Sequence, residues 1–491
     1  MNLPVEIYSV ESVRNIDRVA IDEYGIAGYT LMTRAGQAAL QAALATFPES
    51  RRWQVVCGSG NNGGDGYVVA RLAAEHGIAV SVVALASPET LAGDAAKAYM
   101  DFTALGGVVA EFEGGLDADA DLLVDALLGS GLERDVEGRF AQAVRAMNAH
   151  RAPVMAPDIP SGINGDNGAV MGTAVMADLT VTFVGLKSGL FVDDGPEHCG
   201  QLVFADLDIP AGCREGQPVG MQRIDEGLPR QVLPRRERTA HKGNFGHVLV
   251  VGGGEGMPGA VRLCGEAALR AGAGLVSIAT HPAHAAMVAT GRPELICHPL
   301  DGSDELAPLL ERATVVALGP GLGQSDWSRA LFNSVLASDK PLVVDADALN
   351  LLAGSELRHA DWILTPHPGE AARLLGVTSA DVQADRCAAL VALQQRFGGT
   401  IVLKGSGTLV SADNGPPRLC SAGNPGMAAA GMGDVLTGVI AGLRAQGLPA
   451  AIAAAAGVQA HAVAGDRAAA SGERGMLAGD LMTEIRHCVN P

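Results

Sequence analysis

Twice in this chain an apolar, β-branched run breaks into a glycine-dense turn: QVVCGSGNNGGDG at 54–66 and HVLVVGGGEGMPGA at 247–260. Parallel strands need a helical crossover, and glycine lets the backbone turn tightly at a strand end, so a strand, a glycine turn and a helix-length stretch form the repeating step of parallel α/β architecture. That step recurs along the chain. Strand-like runs at 54–57, 79–85, 121–125, 153–157 and 179–184 alternate with helix-length segments, and the pattern restarts at 247–251, 275–279, 314–318, 342–345, 362–364 and 400–404. Between the two series lies a stretch rich in Pro, Gly and charge without periodicity longer than a turn, which reads as a linker. At 491 residues the chain exceeds one ordinary core. The expected organisation is a domain over 1–212, a linker over 213–240 and a domain over 241–491. The two glycine turns align poorly beyond their opening, so the halves share an architecture without being an internal repeat.

A formal charge of −19 without a basic cluster argues against nucleic acid as partner, since a phosphate backbone needs concentrated Lys and Arg. Single nucleotides stay open, because backbone amides and a helix N-terminus can hold them. The eight cysteines are scattered with no C-x-x-C pair, as expected of reduced thiols in the cytoplasm. The N-terminal segment lacks the charged-then-apolar pattern of an export signal, and the apolar tract 450–465 is broken by Gln459 and His461, as in a packed internal helix rather than a membrane span.

The turn 58–66 offers consecutive N–H groups to a phosphate, yet it is neither G-x-G-x-x-G nor a Walker A loop. It reads as a loop before a helix starting near Tyr67, with Asp65 either at a ligand or capping that helix. Asp125 and Asp158 each end a strand. In a parallel sheet such ends gather where ligands bind, so Asn62, Asp125, Asp158 and Ser161 should converge. Their oxygens suit a hard cation better than zinc. The plainer alternative is that the two aspartates cap turns.

In the second half, NPGMAAAGMGD at 424–434 precedes the helix-like VLTGVIAGL. Bare amides and the helix dipole favour an anion at that turn, and Asp434 is either a catalytic base or the N-cap. Lys404 to Thr408 could hold phosphate and ribose, Gly319 to Gly323 permits close approach of a flat ligand, and His367 either touches a substrate or closes its loop.

Taken in order, NNGGDG at 61–66, VDALLGSG at 124–131, APDIPSGINGD at 156–166 and TFVGLKSGL at 182–190 resemble the YjeF-type NAD(P)H-hydrate epimerases over about residues 10–210. The resemblance implies that Asn61, Asn62, Gly63, Gly64 and Asp65, with Gly129, Ser130, Gly131, Leu132, Glu133, Arg134 and Asp135, hold a hydrated dinucleotide, and that Asp158 also meets the substrate. It implies potassium at Asn62, Asp125 and Ser161. One departure is Thr33 in GIAGYTLMTRAG, where the family usually carries an acid.

Over about residues 225–488, HKGNFGHVLVVGG, GPGLG, DADALN, TPHPGE, VLKGSGT and AGMGD resemble the ribokinase-like superfamily, and most closely its ADP/ATP-dependent NAD(P)H-hydrate dehydratases. This implies an adenine nucleotide at Lys404, Gly405, Ser406, Gly407, Thr408 and Gly433, a hydrate site at Ala260, Gly323, His367 and Asp434, and magnesium accompanying ADP.

The expected fold is therefore α/β in two domains, a Rossmann-like three-layer α/β/α domain followed by a ribokinase-like α/β/α domain. The expected function is repair of NADHX and NADPHX. The first domain would epimerise their R and S forms with acid–base help from Asp158. The second would dehydrate the S form at the expense of ADP or ATP, Asp434 taking the C6 hydroxyl proton as the phosphoryl group moves to that oxygen. Ala-rich helices without an evident solvent face suggest a homo-oligomer. The rival readings are a small-molecule kinase and a first half that senses a nucleotide without turning it over.

Overall fold

The computed structural model describes residues 3–490, which form two compact units divided between Met221 and Gln222. The stretch expected as a linker is partly regular, with a strand at Val219–Arg223 and a short helix at Leu228–Val232.

The first unit is built on seven strands: β1 (Arg52–Cys57), β2 (Ala79–Ala84), β3 (Val109–Glu111), β4 (Leu122–Ala126), β5 (Val154–Pro157), β6 (Leu179–Phe183) and β7 (Gln201–Ala205). All pair in parallel, in the order β3-β2-β1-β4-β5-β6-β7. Successive side chains of a strand face opposite ways, and β1 shows it: Trp53, Val55 and Cys57 enter one core cluster and Val56 the other. Helices α1 (Val10–Asp22), α2 (Gly28–Thr46) and α3 (Asn61–Glu75) supply residues to the first cluster and the helix Gly138–Asn148 to the second, giving three layers. The chain reverses its direction of travel between β1 and β4, so the crevice above their C-terminal ends is where such a sheet accepts a ligand.

The second unit continues with β8 (His247–Val251), β9 (Leu275–Thr280), β10 (Ile296–Pro299), β11 (Val315–Leu318), β12 (Leu342–Val344), β13 (Trp362–Leu364) and β14 (Thr400–Leu403), then the hairpin strands β15 (Thr408–Val410) and β16 (Arg418–Cys420). The order is β10-β9-β8-β11-β12-β13-β14-β15-β16, parallel as far as β14 and antiparallel beyond it. Here the switch lies between β8 and β11. Helices α4 (Pro258–Arg270), α5 (Pro368–Leu375), α6 (Met432–Ala445) and α7 (Ala450–Ala468) flank this sheet. Nearly all of α6 and most of α7 are buried within the unit's own core, which covers the Ala-rich faces behind the expectation of assembly. Among the described residues no helix is long and apolar enough to cross a membrane.

Two local expectations are corrected. The segment 61–66 is not a loop: α3 begins at Asn61, its N-cap is Gly60, and Asp65 lies inside the helix. Gly63, Gly64 and Gly66 make a poor helix on propensity alone, but packing requires them, since a Cβ on Gly63 would lie 2.3 Å from the Gly58 carbonyl oxygen. Likewise Asp434 is not an N-cap. Gly431, at φ 89°, starts α6 in the left-handed conformation that glycine tolerates, and Asp434 occupies the third helical position.

Candidate active sites at the two sheet switches

In the first unit the loop leaving β4 is held against the start of α3. Asn62 Nδ2 donates to the Leu128 carbonyl oxygen at 3.0 Å, Ser161 Oγ donates to Asp125 Oδ1 at 2.6 Å, and the Ser161 amide donates to Asp125 Oδ2 at 2.7 Å. Asp125 is fully buried, which pushes its carboxyl up to about 6 despite those hydrogen bonds. Asn62 Oδ1 is buried without a hydrogen-bond partner. Buried amide, hydroxyl, carboxylate and main-chain oxygens around an orphaned acceptor are a donor set that fits potassium. Among the described residues no group of three His, Cys, Asp or Glu is arranged for a metal.

Beside this cluster, Asp158 leaves β5 with φ 69°, a strained backbone for a residue with a side chain. Its Oδ2 accepts from the Ser130 amide at 3.0 Å, and its Oδ1 lies 2.6 Å from Lys187 Nζ. The Lys187 side chain is 1% exposed, and its ammonium also donates to Thr182 Oγ1 at 3.0 Å and to the Phe183 carbonyl at 3.3 Å. Burial alone would raise Asp158, but the ammonium and the amide hold it below the usual carboxylate range. Two neighbours behave oppositely. Burial pushes Asp17 up to about 6 and Asp65 well above the carboxylate range, and Asp158 reinforces both shifts.

Asp17, Asp65, Asp158 and Lys187 line one cavity of about 850 Å³ together with Asn61, Asn62 and residues 129–134, and Asp125 and Ser161 lie outside its lining. Of the residues expected at the dinucleotide, Gly63, Gly64 and Asp135 are outside its lining. Gly63 packs on Gly58 and Gly64 on Met32. Thr33 donates to the Tyr29 carbonyl within α2. Asp17 carries no signal in the sequence, because only the fold brings α1 to the strand ends.

In the second unit the strand ends converge in the same way. Gly254 donates to the Gly321 carbonyl at 2.7 Å, joining the loops after β8 and β11, and the Gly323 amide donates to Asp347 Oδ2 at 2.8 Å. Ala260, in the first turn of α4, has its Cβ 3.0 Å from where a Cβ on Gly321 would lie. Lys404, just past β14, has its Nζ 2.8 Å from Asp345 Oδ1 and 3.6 Å from Glu370 Oε2. Thr437 in α6 donates to the other Asp345 oxygen at 2.8 Å. Burial would lower the Lys404 ammonium, but Asp345 and Glu370 outweigh it and raise its pKa.

Over this ion pair stands the start of α6. A Cβ on Gly433 would lie 3.4 Å from Lys404 Nζ, so the bare backbone there leaves room beside a cation and a helix N-terminus, a cradle for an anion. Asp434 is pushed up to about 7, chiefly by burial and then by Asp345, with Lys404 opposing. Glu370 reaches about 7 for the same first reason, Lys404 opposing and Asp345 adding. His367 closes its loop as the N-cap of α5, its Nδ1 accepting from Gly369 and Glu370, and its Nε2 lies 3.5 Å from Glu370 Oε1. In the turn after Lys404, Thr408 Oγ1 donates to the Gly405 carbonyl, Arg386 donates to the Gly407 carbonyl, and Ser406 is exposed. Asp345, Glu370 and Thr437 were missed as site residues, although Asp345 ends a strand just as Asp125 and Asp158 do.

Residues 248–487 match the family model described as NAD(P)H-hydrate dehydratase, and residues 28–189 match that of the YjeF-related protein N-terminus. A bifunctional NAD(P)H-hydrate repair enzyme of Coxiella burnetii is 49% identical over 99% of both chains. Its namesake in Escherichia coli is 44% identical over 100% of this chain and 95% of that protein. Among solved structures, an ADP/ATP-dependent NAD(P)H-hydrate dehydratase of Bacillus subtilis, co-crystallised with ATP and magnesium, is 30% identical over 54% of this chain and 96% of its own, with a TM-score of 0.50.

Proposed function

The chain belongs to the family of bifunctional NAD(P)H-hydrate repair enzymes, and from that premise we propose that Asp434 is the base of its dehydration step and Asp158 an acid–base group of its epimerisation. The protein is both isomerase and lyase. Its first unit interconverts the R and S forms of hydrated NADH and NADPH, and its second dehydrates the S form with a nucleotide as phosphoryl donor.

Hydroxide leaves poorly from C6 of the hydrated ring, so that hydroxyl must first be phosphorylated. Asp434 takes the hydroxyl proton while the terminal phosphoryl group of ADP passes to the oxygen and AMP departs. The free amides at the start of α6 and the Lys404 ammonium face the charge that shifts during transfer. Magnesium enters as part of the nucleotide substrate, held chiefly by its phosphates. Phosphate then leaves, driven by the lone pair of the ring nitrogen, and loss of a C5 proton restores the dihydronicotinamide. Ala260, Gly323 and His367 line the hydrate side in this reading, and Lys404 to Thr408 with Gly433 the nucleotide side.

In the first unit, Asn61, Asn62, Asp65 and residues 129–134 bound the dinucleotide site. Asn62, Asp125, Ser161 and the Leu128 carbonyl would hold potassium, which would supply positive charge beside the buried carboxylate. A cytoplasmic location is in keeping with the eight free cysteines.

The observation that carries this reading is Asp434 at the third position of α6, facing Lys404, Asp345 and Glu370. Its test is S-NADHX with ADP and magnesium, followed by regained NADH absorbance. The D434N variant should lose about a hundredfold or more in rate. Retention within about tenfold, less than roughly 1.4 kcal/mol, sinks the assignment. With R-NADHX as sole substrate, D158N should block NADH formation that S-NADHX still supports.

A further inference from the structure

We propose that Asp17 is a second catalytic acid of the epimerase site, giving a proton to the departing C6 hydroxyl while Asp158 accepts one from the water that re-adds. The inference rests on the role assigned above to Asp158.

The position of Asp17 needs an explanation that helix formation does not give. Helix α1 is capped by Ser9, whose side chain accepts from the Ser12 amide, and Glu11 already supplies an acid in the first turn. Asp17 is in the middle of the helix, where neither capping nor the dipole favours an acid. It sits beside the buried stripe of Val13, Ile16 and Ala20, facing the cavity that Asp158 and Lys187 also line. The helix is fixed there, because the Val10 amide donates at 2.8 Å to Asp166 Oδ1, in the segment that carries Asp158.

Three carboxylates, Asp17, Asp65 and Asp158, share one ammonium, and Lys187 is within ion-pair distance of Asp158. Asp158 therefore keeps its charge while its neighbours are driven towards the neutral form. Two carboxyl groups whose environments separate their titrations make an acid and base pair at neutral pH. Of the two raised groups, Asp17 at about 6 exchanges its proton near physiological pH, and Asp65 is raised chiefly by burial within the helix that follows β1.

The step balances. The C6–O bond breaks, its electron pair leaves with oxygen, and the Asp17 proton converts the fragment to water, leaving a cyclic iminium ion and an Asp17 carboxylate. Water adds to the other face of C6, its surplus proton passes to Asp158, and the opposite epimer results. Before the next forward turnover Asp17 takes a proton from solvent and Asp158 releases one, and the reverse passage runs the same transfers backwards. No oxidant or nucleotide is consumed.

The test uses full-length protein in potassium buffer with pure R-NADHX and no nucleotide, following the epimer ratio by chromatography from pH 5 to 9 against the enzyme-free rate. The D17N variant should lose about a hundredfold in kcat with little change in KM, and D17E should recover part of that loss. Dehydration of S-NADHX with ADP should stay at the wild-type rate, showing that the second unit is untouched, while the recovery in D17E shows that the first unit folds. The wild-type kcat/KM should fall as pH rises above about 6, and that limb should be missing in D17N. Lys187, Asp158, Asp65 and Arg14, with Asp94, Glu133 and Arg134 at the cavity wall, also face this space, so the limb is assigned by its disappearance in D17N and not by its position. Epimerisation by D17N within tenfold of wild type, a loss confined to KM, or an unchanged limb overturns the proposal. If D158N fails while D17N works, Asp158 stands and Asp17 does not. If both variants epimerise normally, both assignments fall.

Discussion

Thr437 Oγ1 donates to Asp345 Oδ2 at 2.8 Å, tying the second turn of α6 to the residue that follows β12, 92 positions earlier. The other oxygen of Asp345 holds Lys404. One carboxylate thus sets both the cation and the helix start that together face an anion.

The D345N variant removes the nearest counter-charge of Lys404. Breaking a buried ion pair from one side costs about 3–5 kcal/mol. Urea unfolding of the second unit should show a loss of that order, and nucleotide-dependent turnover should fall with it. T437V, which deletes one hydrogen bond to a charged group, should cost about 1.5–3 kcal/mol.

Turnover by the second unit should depend on pH through Asp434. A base works ionised, so kcat/KM should drop about tenfold per pH unit below about 7 and level off above it. The same carboxyl affects stability with the opposite preference. Its folded pKa lies above the unfolded value, so its contribution favours folding at low pH and is lost as pH rises through about 7. D434N should therefore be inactive yet more stable than wild type at pH 8, by about 2–4 kcal/mol, with the difference vanishing near pH 4. Thermal melts at the two pH values check it.

Gly433 separates space from backbone strain. A Cβ there meets nothing closer than 3.4 Å, so G433A should fold, but its methyl group occupies the anion cradle. The expected result is an unchanged melting temperature in the absence of nucleotide and about tenfold or more lost in nucleotide affinity by calorimetry.

Potassium should stabilise the first unit specifically. At ten times its dissociation constant a bound ion adds about 1.4 kcal/mol. Melts in KCl against equal LiCl should separate in wild type and coincide in D125N.

Six strands of the second unit are readable from sequence, because β-branched runs such as 247–251 and 362–364 form its buried parallel sheet, whereas the edge strand Ile296–Pro299 and the hairpin strands Thr408–Val410 and Arg418–Cys420 are not. The start of α3 is not, because local propensity forbids what contact demands: glycine in the first turn is unfavourable until Gly58 lies against Gly63. Asp125, Asp158 and Lys404 follow from the rule that strand ends collect at one edge. Asp17, Glu370 and Thr437 sit on helices, where nothing in the neighbouring sequence distinguishes a site acid or hydroxyl from a solvated one. Their roles arise from separations such as the 59 residues between Asp345 and Lys404.

The cap made by His367 has a chemical consequence at the site. Its Nδ1 accepts from the Gly369 and Glu370 amides, so that nitrogen carries no hydrogen, and burial next to Lys404 keeps the ring's pKa below the usual imidazole range. The neutral ring is thereby locked in one tautomer, with its only hydrogen on Nε2. Whatever ligand atom meets that edge must be an acceptor, so His367 can orient an amide or hydroxyl oxygen but cannot remove a proton from it.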